Sequence, residues 1–387
     1  MVPDADTVLL RYGDVSTKSD RVQRKMTGRL VENVRALLAD RDIDGTVEEH
    51  HARPRIRTTD PEAACGAATD AMGVVSASPA LVVDSERRAI ENALSRLARE
   101  TYTEGTFAIR ARRATTATPF DSEDVGRFGG NAVGEAVDFA PAVDLDDPDC
   151  ELFVEVRDGE TFVFAEKRAG PGGLPLGTQG RLVALVSGGI DSPVAAYEMM
   201  RRGSPVVPVY LELGPYGGPD HEARAIETMR TLNALAPNAD TRGFRVSAGP
   251  DLEYLADAMD RGRMLSFRRY MLRVGETLAR EVGAEGVVTG EALGQKSSQT
   301  ARNLRVSAAA TDYPVHRPLL NWDKQDIVER AREIGTFSDS KVPAGCERFA
   351  PPNPETSGRL PALERVEPDD VLERAERAAR SADRIEL

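Results

Sequence analysis

The chain runs to 387 residues with a formal net charge of −13, enough length for two or three domains and a sizeable core. No apolar run has membrane-spanning length and no signal-peptide pattern follows Met1-Val2-Pro3-Asp4, which argues for a soluble, cytoplasmic protein. Cys65, Cys150 and Cys346 are widely spaced, which excludes a disulfide framework and a CxxC metal site; no metal ligands are assigned, and any cysteine chemistry is that of single thiols.

Thr7-Val8-Leu9-Leu10-Arg11-Tyr12 reads as a strand and Asp14 to Thr17 as turn and capping residues. A helix follows over 21–38, with a stripe at Met26, Leu30, Val34, Leu37 and Leu38. Residues 53–58 alternate like a second strand, and a second helix at 61–72 completes a ferredoxin-like α+β pattern within 1–75. In the next unit, 76–168, a helix at 85–101 precedes the strand 106–113, which carries Arg110, Arg112 and Arg113. Asp121-Ser122-Glu123-Asp124-Val125 is a capping pattern that leads a helix through Val137. Residues 152–156 and 161–165, joined by Asp158-Gly159, make a hairpin. A Gly/Pro-rich linker covers 169–180, with the boundary near Pro171.

From 181 to 387 strands and helices alternate, as in an α/β domain with a doubly wound parallel sheet. Strands are expected at 182–186, 206–213, 241–246 and 286–291, and helices at 219–235, 264–282, after 292 and at 371–385. In such sheets the loops after Val186, Leu213 and Thr289 converge at the carboxyl ends of the strands, where ligands bind.

The densest signal is Leu182-Val183-Ala184-Leu185-Val186-Ser187-Gly188-Gly189-Ile190-Asp191-Ser192, an apolar strand meeting a Ser-Gly-Gly turn that opens a helix. Gly188 and Gly189 carry no Cβ, so the backbone can approach an anion with its N–H groups inward. The helix behind adds the positive end of its dipole. The turn lacks the Gly-Lys-Ser/Thr ending of a Walker loop, so it is not built to hold a transferring γ-phosphate beside a lysine.

Six of the 50 basic residues are lysines and the rest arginines, which fits a salt-adapted, halophilic protein or a high-GC genome. Net acidity argues against nucleic-acid binding on the usual reading, but local arginine clusters matter more than the total.

The turn at 187–192 resembles the SGGxDS pyrophosphate loop (PP-loop) of ATP-pyrophosphatases, which cleave ATP between the α and β phosphates. Other segments are similar to the ThiI-type tRNA 4-thiouridine synthetases, in the short form without a rhodanese domain. They are Arg11-Tyr12-Gly13-Asp14 with Lys18 and the basic helix from Arg21, the linker Gly170-Pro171-Gly172-Gly173-Leu174-Pro175-Leu176-Gly177-Thr178, Arg268-Arg269-Tyr270-Met271, Gly290-Glu291-Ala292-Leu293-Gly294-Gln295, Ser298-Gln299-Thr300 and Arg317-Pro318-Leu319-Leu320. The middle unit resembles a THUMP domain, an RNA-binding module. Lys296 departs from the family, which usually has an apolar residue there, and reads best as a surface change.

The resemblance implies an ATP-dependent tRNA sulfurtransferase acting on uridine, at position 8. Ser187, Gly188, Gly189 and Ser192 would hold pyrophosphate, and Asp191 would sit by the phosphates and Mg²⁺. Leu185, Val186, Tyr210 and Leu211 would contact the nucleotide, Arg268 would neutralise phosphate charge, Gly290 would let backbone approach the nucleotide, and Gln299 would hydrogen-bond it. Cys346 lies in the Pro-rich stretch 342–356, similar to the family's catalytic-cysteine loop; the plain alternative is a small buried residue. Cys65 and Cys150 are read as structural. The chain shows no CxxC for an iron–sulfur cluster, and its persulfide source, a cysteine desulfurase or inorganic sulfide, stays open. The resemblance further implies a homodimer bridged by tRNA. Two other readings are sulfur delivery to a carrier protein in thiamine synthesis and a tRNA-binding protein without chemistry.

Overall fold

One strand, Val74–Asp84, organises the amino-terminal half. In this computed structural model, which describes residues 4–14, 18–49, 53–239, 242–337 and 348–387, its first part pairs antiparallel with Thr7–Tyr12 and its last residues pair with Glu160–Phe164. The two amino-terminal patterns therefore share a sheet of nine strands. Its order is Thr46–Glu48, Arg55–Arg57, Thr7–Tyr12, Val74–Asp84, Glu160–Phe164, Cys150–Val156, Thr106–Arg113 and Ala142–Val143. Arg168–Ala169, at the edge of the expected linker, also pairs with Val74–Asp84.

Helices cover this sheet for reasons visible in their sequences. Asp20–Asp40 buries Leu30, Val31, Val34, Leu37 and Leu38 against Val8, Leu10 and Ile56. Ser122–Ala136 starts on a reciprocal capping box, the Asp121 carboxylate accepting from the Asp124 N–H while the Asp124 carboxylate accepts from the Asp121 N–H. The helix at 61 begins with Pro61, is capped by Asp60, and stops at Ala68 rather than 72. The chain divides into two compact units, Met1–Pro175 and Leu176–Leu387.

The second unit is a six-stranded sheet in the order Val315–His316, Val287–Val288, Leu182–Leu185, Val206–Glu212, Gly243–Ser247, Asp383–Ile385. The first five strands are parallel, and the last pairs antiparallel with Gly243–Ser247. The expected helix at 371–385 ends at Arg380, and the chain turns to add this edge strand, so the sheet is mixed. The strand expected over 286–291 is only Val287–Val288, and the following helix waits until Ala301, capped by Thr300. The chain moves outward from Leu182–Leu185 through two strands on one side, then crosses to Val287–Val288 on the other. That reversal places the topological switch point between Leu185 and Val288, where a crevice opens at the carboxyl ends.

Candidate active site

Leu182–Leu185 ends at the switch point, and the turn after it is held by its own serines. The Ser187 N–H donates to Ser192 Oγ at 2.8 Å, the two hydroxyls are 3.1 Å apart, and the Gly189 N–H donates to Ser187 Oγ at 3.2 Å. Helix Asp191–Arg201 then runs away from the crevice. A Cβ at Gly188 would fall 2.8 Å from the His221 carbonyl oxygen, so the absence of a side chain there is a packing requirement as well as an opening for an anion.

The turn forms one wall of a cavity of about 330 Å³. Of the residues expected at the site, Leu185, Val186, Ser187, Gly189, Asp191, Ser192, Tyr210, Leu211, Arg268, Gly290 and Gln299 line it, while Gly188 lies behind, against His221. Apolar side chains of Met264, Phe267, Met271 and Leu272, on the long helix Arg263–Val282, form another wall. Cys346 lies outside the described residues. Three residues later, Phe349 is fully buried against Tyr216 and Phe267, its carbonyl accepts from Arg263 Nε at 2.8 Å, and Ala350 and Pro354 line the cavity.

Gly290 meets the turn itself. A Cβ at 290 would lie 2.7 Å from the Ser192 nitrogen and 2.8 Å from the Asp191 carbonyl carbon, so the chain just after strand Val287–Val288 packs directly on the start of the loop helix. Arg268 donates to Ser298 O at 2.9 Å and Ser298 Oγ at 3.1 Å, with Glu291 Oε1 3.6 Å from its Nε. Arg317 Nε donates to Glu291 Oε2 at 2.9 Å, so one carboxylate spans two guanidiniums. Gln299 uses its side-chain oxygen to accept from the Lys296 N–H at 3.0 Å, closing a local turn.

Other groups here are absent from the sequence expectation. Lys324, first residue of the helix Lys324–Glu333, donates to Asp191 Oδ1 at 2.6 Å, and Gln295 Nε2 stands 3.3 Å from both Asp191 oxygens. His221 is buried with its Nδ1 3.3 Å from the Tyr210 hydroxyl. Burial, then the charges of Arg224 and Arg348, hold the His221 imidazole below its ordinary pKa, and burial holds the Tyr210 phenol above its own. Gln295, Glu291 and Arg317 fall inside or beside recognisable segments, so they carried a signal. Lys324 and His221 carried none, because only the fold brings them to the loop.

In the amino-terminal unit a groove of about 1140 Å³ is lined by Arg11, Arg53, Arg110, Arg112, Arg127 and Lys167. Lys167 Nζ sits 3.9 Å over the Phe153 ring and Arg11 4.7 Å over Phe164, whose rings stack at 5.1 Å. Of the expected arginine face, Arg110 donates to Glu151 Oε1 at 2.5 Å and Arg113 to the Phe120 carbonyl at 3.0 Å.

Residues 177–370, which contain the whole cavity, match the family described as Thiamine biosynthesis protein (ThiI). The chain belongs to the ThiI family. Residues 7–78 match the ThiI ferredoxin-like domain and 86–166 the THUMP domain. A probable tRNA sulfurtransferase of Halobacterium salinarum is 54% identical over 387 residues, covering 100% of this chain and 98% of that one. One from Methanosarcina acetivorans is 40% identical over 356 residues, covering 90% of this chain and 86% of its own. The crystal structure of a 4-thiouridine synthetase–RNA complex with bound ATP superposes with a TM-score of 0.85 at 26% identity, covering 98% of both chains. Among the described residues of this ThiI-family chain no helix is long and apolar enough to cross a membrane.

Proposed function

We propose that this chain is an ATP-dependent tRNA sulfurtransferase that replaces the C4 oxygen of a uridine, at position 8, with sulfur to give 4-thiouridine. The observation that carries the reading is the contact of Gly290 with the Asp191–Ser192 backbone, which puts the serine-held loop and an apolar cavity together at the switch point. The likeness over the full chain to an ATP-bound synthetase–RNA complex supports ATP as the nucleotide and tRNA as the acceptor.

Uracil O4 is a poor leaving group, so it is first made a good one. The oxygen attacks the α-phosphorus of ATP, pyrophosphate leaves, and the base carries AMP on O4; sulfur then attacks C4 and AMP departs. The chain's residues bind and orient. Loop N–H groups and the dipole of helix Asp191–Arg201 hold pyrophosphate. Lys324 brings a cation to the same place, and Arg268 and Arg317, bridged by Glu291, hold the opposite wall. Met264, Phe267 and Leu211 exclude water from the adenine side.

A magnesium ion fits this donor set. Among the described residues no three metal-ligating side chains cluster, and Mg²⁺ characteristically takes one or two carboxylates plus phosphate oxygens. Asp191 would hold it, with the buried, unpartnered Oε1 of Gln295 at the same cavity, and the ion would neutralise phosphate charge.

Cys346 is the thiol that attacks C4 as AMP departs and is itself displaced by sulfide, or that attacks the inner sulfur of an incoming persulfide, releasing sulfide and leaving a disulfide that an external thiol reduces; the return of Ala350 and Pro354 to the cavity supports this. The sulfur arrives either as a persulfide made by a cysteine desulfurase or as inorganic sulfide, which attacks C4 directly. RNA binds the cation-lined groove of the amino-terminal unit, the enzyme works in the cytoplasm as a homodimer, and light scattering with and without tRNA checks the latter. The family's description favours one second reading, sulfur transfer to a carrier protein of thiamine synthesis. Nucleoside analysis of tRNA from a strain lacking the chain tests the main reading. 4-Thiouridine should vanish and return with the wild-type chain but not with Cys346→Ser; undiminished 4-thiouridine in the deletion strain sinks it.

A further inference from the structure

We propose that a second groove, on the catalytic unit and walled by Arg302, Arg305 and Arg359, grips the phosphate backbone of the RNA whose base enters the adjacent cavity. This rests on the reading of the chain as a tRNA sulfurtransferase. The groove has a volume of about 540 Å³ and an apolar floor that includes Val306, Ala309 and Leu360. All three arginines are exposed, and among the described residues no carboxylate forms an ion pair with any of them. Several other guanidiniums of this unit are neutralised: Arg268 and Arg317 share Glu291, Arg269 holds Glu367, and Arg374 holds Asp370. In a chain of net charge −13, three unneutralised arginines in one concavity mark a place where the negative charge comes from outside.

The walls are built rigidly. Arg302 Nη1 donates to Ser357 Oγ at 2.9 Å, and between the two walls lies a buried amide. Asn303 Nδ2 donates to Ser298 O at 2.9 Å and Glu355 O at 2.7 Å, and Asn303 Oδ1 accepts from the Gly358 N–H at 2.9 Å. A Cβ at Gly358 would meet Leu265 at 2.6 Å, so the turn is seated close on the long helix. These same two segments reach the nucleotide cavity: Ser298 and Gln299 precede the helix Ala301–Ala308, and Pro354 precedes the turn. Groove and cavity are thus opposite ends of one pinned construction. An open row of guanidiniums with an apolar floor suits a polyanionic chain with exposed bases and riboses more than a single enclosed anion. Continuity with the cavity favours the substrate RNA over the acidic surface of a second copy.

The test compares wild type with Arg302→Ala/Arg305→Ala/Arg359→Ala and with the corresponding triple lysine variant, using unmodified tRNA at several KCl concentrations. The alanine variant should raise the KM for tRNA about 10-fold or more while kcat and ATP affinity stay within about 2-fold, and should lower the salt slope of tRNA binding by about 3. The lysine variant should recover most of the binding. Unchanged tRNA affinity and slope in an alanine variant that melts with wild type overturns the proposal. So does a dimeric wild type that becomes monomeric in the variant, since the groove is then a protein interface. If the triple variant fails to fold, Arg305→Glu on the exposed helix face must show the same rise in KM, and unchanged KM there overturns the proposal equally. A wild type that binds tRNA through these arginines yet forms no 4-thiouridine defeats the functional reading and leaves the groove standing.

Discussion

Lys324 Nζ lies 2.6 Å from Asp191 Oδ1 and joins the first residues of two helices that are 133 positions apart. The pair is roughly half exposed on the lysine side, so it contributes under about 1 kcal/mol to stability. On the proposed reaction its value is catalytic, because it fixes a cation at the loop that would hold pyrophosphate. Lys324→Ala should leave the melting temperature nearly unchanged and lower tRNA-dependent AMP release about 100-fold. Steady-state assay of AMP checks this, and a rate near wild type contradicts it.

Gly290 has no room for a methyl group. Its Cβ would stand 2.7 Å from the Ser192 nitrogen and 2.8 Å from the Asp191 carbonyl carbon, backbone atoms that cannot swing aside. Gly290→Ala should therefore push the loop out of place, costing about 1–3 kcal/mol in urea unfolding and weakening ATP binding together. An alanine variant with normal ATP affinity by calorimetry would mean that the loop tolerates displacement.

Phe349 anchors the chain just after Cys346 by packing on Tyr216 and Phe267, with Arg263 5.4 Å over its ring. Truncation to alanine should cost about 3–5 kcal/mol. Phe349→Leu keeps most of the buried volume and should retain ATP binding while slowing sulfur incorporation more than AMP formation. Equal slowing of both steps in the leucine variant would detach Phe349 from the placement of Cys346.

Burial depresses the pKa of both His221 and His316. Above about pH 6.5, the ordinary value, folded and unfolded chains both keep these rings neutral. As pH falls through that value the unfolded chain takes up protons that the folded one refuses, so stability falls. Between pH 7.5 and 5.5 the denaturation midpoint of the second unit should drop, and His221→Gln with His316→Gln should flatten the slope. A midpoint that holds steady in wild type over this window contradicts the assignment.

What could be read in advance divides by range. The Ser187–Ser192 turn and the Asp121/Asp124 capping box are legible because every signal lies within a few residues. Val74–Asp84 is obscured by Pro79 inside an otherwise apolar run, and its two ends serve different neighbours. Asp383–Ile385 looks like the end of an amphipathic helix, since its charged residues suit a solvated face; only Gly243–Ser247 reveals it as a strand. The same limit hides Lys324, 133 positions from Asp191, the packing of His221 on Gly188, and the grouping of Arg302 and Arg305 with Arg359, which comes from a separate segment. Closeness to a ligand explains only part of the need for glycine: Gly188 and Gly290 are also required by neighbouring protein backbone.

The most direct test is reconstitution of purified chain with unmodified tRNA, ATP, Mg²⁺ and sulfide or a persulfide donor, scoring AMP and 4-thiouridine in the same reaction. The account predicts that both appear in equal amounts, that both require the intact loop with Asp191, and that Cys346→Ser removes the 4-thiouridine. AMP formation without any thiolated tRNA under both sulfur sources, or thiolation that persists without ATP, would contradict it.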